Sequence, residues 1–166
     1  MSALPVEGAG YAPLMTTKKR FLQPGQLAIS VEPMQITTIL GSCIAVCLWD
    51  PQRHIGGMNH FMLPYHGPTN SAASSARFGN VAMTQLVEQL RAHGARLPLL
   101  KARVFGGACM FQQMRSSAHL GAQNAEVAVE FLSRQGIEVV QIDIGGSRGR
   151  KLTFLTYEGT ACQSLI

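Results

Sequence analysis

Two side chains in this sequence are of the types that perform acyl chemistry together. Cys43 stands behind the tight corner Gly41-Ser42, and His60 follows seventeen residues later in the apolar run M-N-H-F-M-L-P. A free thiol with a pKa near 8.5 is only about 3% thiolate at pH 7. A neighbouring imidazole raises that fraction and later protonates the leaving group. A Gly-Ser corner presents the side chain that follows it and leaves backbone N–H groups free for an oxyanion. Gly41 and Ser42 are therefore the expected backbone support. Cys47 lacks such a corner, sits mid-strand and reads as a packing cysteine.

Three other readings of the chemistry are weaker. Cys43 and Cys47 form a C-x-x-x-C pair with His54, His60 and His66 nearby, but on a strand four residues span roughly 13 Å, too far to share one ion. No metal is expected. Gly145-Gly146-Ser147-Arg148-Gly149 matches G-x-S-x-G, yet a serine triad of that kind needs an acid and then a histidine after the serine, and the last histidine is His119. The segment reads as a glycine turn. A phosphate loop of the form G-x-x-x-x-G-K-[ST] is absent.

The elements that must position Cys43 and His60 are legible in outline. Gln26–Val31, Gln35–Leu40, Ile44–Trp49 and Ile55–Leu63 read as four short strands in a meander, with a turn at Asp50–Arg53. Adjacent strands lie about 5 Å apart, so pairing of the last two brings Cys43 and His60 close if the register allows. A breaker-rich loop follows at 64–75. Helices are predicted from about Ala76 to His93 and from about Gly121 to Gln135, the second with Val127, Ala128, Phe131 and Leu132 on its buried face. Ala102–Phe105 and Ile137–Ile144 read as strands, and Leu152–Tyr157 as the hairpin partner of the latter. The order predicts an α/β fold: a single-domain sandwich of mixed, largely antiparallel β-sheet flanked by helices. Residues 1–22 read as a mobile N-terminal arm, and 23–166 as the domain.

Composition bounds the function. Hydrophobic residues make up 46% and charged residues 14%, which excludes a disordered chain. No apolar run is long enough to span a bilayer, and no apolar signal core follows Lys18–Arg20, so a cytoplasmic protein without membrane insertion is expected. Cys43, Cys47, Cys109 and Cys162 lack the spacing of a disulfide framework and should be thiols. The net charge of +5 favours an anionic partner, but the basic residues are scattered rather than striped, which argues against nucleic acid.

The chain resembles the CheD family of chemoreceptor glutamine deamidases. The resemblance is carried by T-T-I-L-G-S-C-I-A-V-C-L-W-D-P at 37–51, G-G-M-N-H-F-M-L-P at 56–64, K-A-R-V-F-G-G-A-C-M-F at 101–111, L-G-A-Q-N at 120–124 and D-I-G-G-S-R-G-R-K-L-T-F-L-T-Y-E-G at 143–159. In that family a cysteine, a histidine and a threonine are catalytic; they fall on Cys43, His60 and Thr37, with Thr38 adjacent. The resemblance implies a protein-glutamine glutaminase acting in chemotaxis. Its cysteine forms a thioester with a receptor glutamine, which water hydrolyses to glutamate. No cofactor is implied. The implied partners are methyl-accepting chemotaxis receptors as protein substrate and a CheC-type phosphatase. The family also resembles a bacterial toxin domain that deamidates a glutamine in small GTPases. A non-catalytic adaptor, and an acyl transferase using the same chemistry, are the rival readings. Gln123 departs from the arginine that many members carry there.

Overall fold

The computed structural model describes residues 17–65, 75–111 and 119–166. Its elements are β1 (Lys18–Phe21), β2 (Leu27–Ser30), β3 (Met34–Leu40), β4 (Ile44–Asp50), β5 (Ile55–Asn59), α1 (Gly79–Ala92), β6 (Lys101–Gly106), α2 (Leu120–Gln135), β7 (Glu138–Ile144), β8 (Arg150–Leu155) and β9 (Thr160–Leu165). The strands form two sheets, one ordered β1-β3-β8-β9 and the other β2-β5-β4-β6-β7. Among the strand pairs of the described residues, β1–β3 and β6–β7 are parallel and the others antiparallel. The fold is thus α/β with mixed, largely antiparallel sheets.

Strand β4 shows how the layers are held. All seven of its residues are buried, and because strand side chains alternate between faces it feeds two cores. Ile44, Val46 and Leu48 join Met83, Leu86 and Leu90 of α1 and Ala128 and Leu132 of α2. Ala45, Cys47 and Trp49 join Ile36 and Leu40 of β3 and Leu152 and Phe154 of β8. Both helices therefore cover one face of the five-stranded sheet, and the four-stranded sheet covers the other. Gly136, left-handed at φ 69°, ends α2, the role glycine plays at helix C-termini.

Three expectations change. The first four strands are not a meander: β2 pairs with β5, while β3 joins the other sheet beside β1 and β8. The corner at 41–43 carries the chain from one sheet to the other. β7 and β8 are not a hairpin either, since β7 pairs with β6 and β8 with β3 and β9. Gly145 and Gly146, at φ 89° and 78°, turn the chain across the sandwich, and Arg150 fastens the turn by donating to the carbonyls of Asp143 and Gly145. Finally, the arm expected over 1–22 ends in structure. Lys18–Phe21 pairs with Met34–Thr37, and Leu22 is fully buried. Residues 1–16, and most of the loop expected at 64–75 with His66, lie outside the described residues. Strand β9 was not foreseen because its burial alternates weakly at a sheet edge.

The N-terminus of α2 packs backbone to backbone on the segment after β6. A Cβ at Gly121 would meet the carbonyl oxygen of Gly107 and lie 2.7 Å from that of Ala108. Gly121→Ala should therefore overpack this junction and cost about 1–3 kcal/mol, read as a fall of several degrees in melting temperature with the far-ultraviolet spectrum unchanged.

Candidate active site

The corner at 41–43 is tied on both sides. The Gly41 carbonyl accepts from the Ala108 N–H (2.9 Å), and the Cys43 carbonyl from the Gly107 N–H (2.8 Å). Neither the Ser42 nor the Cys43 N–H has a hydrogen-bond partner among the described residues.

The register of β4 on β5 places the histidine. Cys47 stands opposite Met58, and the ladder continues past the end of β5 to Ile44 opposite Phe61, with hydrogen bonds in both directions (3.0 and 2.9 Å). In the same register Cys43 and His60 are diagonal neighbours on one face. Such neighbours lie about 7–8 Å apart at the backbone, within the reach of an aromatic side chain. The face is the one between the sheets: Cys43 packs against the inter-sheet core, while Ile44 and Phe61 belong to the helix-side core. His60 is 2% exposed and Cys43 partly exposed, so the cysteine is the more exposed residue of the pair.

The opposite sheet supplies the third group. The Thr38 hydroxyl lies 2.7 Å from Nδ1 of His60 and donates to the Leu22 carbonyl at 2.8 Å. A threonine hydroxyl has one proton, and a carbonyl can only accept. With that proton given to Leu22, the Thr38 oxygen must accept from Nδ1–H. The imidazole is thereby fixed as the Nδ1–H tautomer, and Nε2 carries a lone pair. Nε2 is buried without a partner among the described residues, on the face that carries Cys43.

Thr37 does not reach this cluster. Successive strand side chains face opposite ways, so a one-residue step changes layers. Ile36, Thr38 and Leu40 point inward and are buried; Thr37 points to the outer face, where its hydroxyl lies 3.2 Å from that of Thr153. The inward phase of Ile36 and Leu40 was the sequence signal that selects Thr38. Asn124 was also missed as a member of the site. It is wholly buried and donates to the carbonyls of Ser42 (3.0 Å) and Met62 (3.1 Å). Nothing in periodicity or spacing marks it.

Burial sets the charge states. Desolvation lowers the pKa of His60 to about 4, opposed by the Leu22 carbonyl, and burial raises that of the Cys43 thiol. At neutral pH the pair is thus a neutral thiol beside a neutral imidazole. Cys47, fully buried on β4, is pushed far up by desolvation, against a smaller opposing effect of Arg103. Beside Ser42 a mostly apolar cleft of about 220 Å³ opens, walled by Met110, Phe111, His119 and Leu120. Met110, Phe111 and Leu120 are exposed.

A two-sheet α/β domain with a thiol, an imidazole and a threonine at the crossing between its sheets defines the class. The family model described as CheD chemotactic sensory transduction matches residues 62–164. A protein of Anaeromyxobacter dehalogenans named probable chemoreceptor glutamine deamidase CheD 1 is 48% identical, over 85% of this chain and 81% of its own length. Proteins named probable chemoreceptor glutamine deamidase CheD from Acidiphilium cryptum and Trichlorobacter lovleyi are 44% and 43% identical, over 79% and 86% of this chain and 68% and 87% of their own lengths. The chain belongs to the CheD family. Among solved structures, protein NMB0706 of Neisseria meningitidis aligns with 73% of this chain and 53% of its own at 8% identity and a TM-score of 0.42, a slight likeness.

Two measurements check the site. Nitrogen-15 spectra of the imidazole at pH 7 should show His60 protonated at Nδ1 and bare at Nε2. Thr38→Val should mix the tautomers, whereas Thr37→Val should leave the spectrum unchanged. The second is stability against pH. An unfolded imidazole takes a proton below about 6.5, but folded His60 resists until about 4. Between those values the unfolded state binds more protons, so stability is lost as pH falls. By pH 4.5 the loss from this group is about 2–3 kcal/mol, read as the difference in urea unfolding between the native protein and His60→Asn.

Proposed function

We propose that this chain hydrolyses the side-chain amide of specific glutamines in chemoreceptors, with Cys43 as nucleophile, His60 as general base and acid, and Thr38 as the residue that orients the imidazole. The observation that carries the reading is the fixed tautomer: the Thr38 oxygen holds Nδ1–H, and the lone pair of Nε2 is left on the face of the cysteine. The names of the relatives supply the substrate, and the family supplies the setting in chemotaxis.

The steps balance within the groups present. As the sulfur bonds to the glutamine amide carbon, the thiol proton passes to Nε2. The carbonyl oxygen becomes an oxyanion, which the N–H groups of Ser42 and Cys43, without partners among the described residues, would receive. Collapse breaks the C–N bond, and His60 returns the proton so that ammonia departs, leaving a thioester. Water then attacks the thioester carbon while Nε2 takes its proton; the thiol is regenerated and glutamate released. Thr38 performs the orienting task that the third member of a triad performs elsewhere. The chemistry uses no cofactor.

The partners in this reading are receptor helices and a CheC-type phosphatase. The exposed Met110, Phe111 and Leu120 at the cleft offer them an apolar rim, and the net charge of +5 suits approach to an acidic receptor surface. The reducing cytoplasm suits a protein whose four cysteines are all free.

The test is ammonia release from a receptor signalling fragment, with a mass gain of about one dalton at the converted glutamine. Cys43→Ala and His60→Ala should each lower kcat/KM by on the order of 10³-fold or more. Thr38→Val should lower it by about 10²-fold, and Thr37→Val by less than about twofold. Undiminished release by Cys43→Ala would overturn the nucleophile.

A further inference from the structure

The amide of Asn124 has no counterpart in the mechanism so far. It lies in the first turns of α2, on the helix side of the five-stranded sheet, fully buried. Both bonds run from Nδ2 to carbonyl oxygens, of Ser42 and of Met62. Two carbonyls can be met at these distances only by donors, so the orientation of the amide is forced. Oδ1 is left buried with no partner among the described residues. A buried unpaired acceptor costs stability, and an apolar residue in its place would avoid that cost but would offer no proton to either carbonyl.

The two carbonyls belong to the two segments that must meet. Met62 lies two residues beyond His60. The Ser42 carbonyl belongs to the peptide unit that contains the Cys43 N–H. A trans peptide is planar, with its C=O and N–H pointing in opposite directions. Anchoring the Ser42 oxygen toward α2 therefore turns the Cys43 N–H away from the helix, where it has no partner among the described residues. Donation to a carbonyl also polarises its peptide and strengthens the N–H at the other end.

We infer that Asn124 is a positioning residue that aims and polarises the Cys43 N–H as an oxyanion donor, while tying the cysteine corner to the histidine segment. The inference rests on the deamidase reading above. It is separated from that reading by comparing two reactions of one thiol. Deamidation develops an oxyanion; alkylation of Cys43 by iodoacetamide displaces iodide and develops none at the enzyme's donors.

Asn124→Leu keeps the approximate bulk of the side chain and removes both donors along with the orphan acceptor; Asn124→Ala serves as the second variant. With a receptor signalling fragment as substrate, each should lose about 10- to 100-fold in kcat. KM and the alkylation rate of Cys43 should stay within about threefold of the parent protein. Equal losses in kcat and alkylation, an unchanged kcat, or failure of both variants to melt cooperatively would show Asn124 to be only a structural staple and overturn the inference. If the unsubstituted protein released no ammonia from the fragment, the deamidase reading would fall and the inference with it.

Discussion

The site depends on a single proton. The Thr38 hydroxyl has one to give, the Leu22 carbonyl takes it, and the imidazole must then present Nδ1–H to the oxygen. For that bond to exist, three segments must arrive together. Leu22 ends the segment after β1, Thr38 lies on the inward face of β3, and His60 extends β5 in the other sheet. Facing sheets lie about 10 Å apart, and a threonine and a histidine side chain bridge that gap when the cores on either side are filled. The inter-sheet cluster of Ile36, Leu40, Ala45, Cys47, Leu152 and Phe154 is thus what sets the tautomer of His60.

The same burial that fixes the geometry acts on both titrating groups. Removing water disfavours the charged form of each, so the thiol is pushed up and the imidazole down. The pair does not rest as a thiolate beside an imidazolium. In the proposed reaction the proton leaves sulfur only as a carbonyl carbon is attacked, when the new oxyanion finds N–H donors already aimed. An imidazole that is neutral at pH 7 is in the form a general base requires, and burial secures that form across the range in which an exposed histidine would titrate.

The local pattern of β4, α1 and α2 was legible in the sequence because each satisfies one rule at a time: β-branched apolar runs for the strand, a 3.6-residue stripe and a terminal glycine for the helices. Which strand pairs with which was not. Ile44–Trp49 and Ile55–Leu63 pair as their short turn suggests, but β3 departs to a second sheet, and nothing within Gln35–Leu40 announces that. Cys43 and His60 were legible as a candidate pair, but the hydroxyl that meets Nδ1 of His60 was not. The family resemblance implies Thr37, whereas strand parity turns Thr38 inward, in phase with the buried Ile36 and Leu40. Parity decides which hydroxyl meets the imidazole, because a step of one moves a hydroxyl from the inter-sheet core to the outer face beside Thr153. Asn124 was illegible for a different reason: a side chain that serves two backbone carbonyls of distant segments leaves no periodic trace.

Where the fold tolerates unsatisfied polarity is itself informative. Among the described residues, the buried side-chain atoms without a partner are His60 Nε2, Asn124 Oδ1, Arg150 Nε and Gln163 Oε1; the first two belong to residues that flank Cys43 from opposite layers. A sequence shaped for stability alone would fill both places with apolar groups, since an unpaired buried polar atom is a net loss. Each of these two orphans has a working partner on the same side chain: Nδ1–H held by Thr38 in one, and the two-proton Nδ2 held by Ser42 and Met62 in the other. The free lone pair on His60 is what a base must keep unspent. The free oxygen of Asn124 follows from demanding two donors from one neutral group. Local conflict with stability is expected to gather at functional sites, and here it brackets the one partly exposed thiol that has an imidazole on its own face.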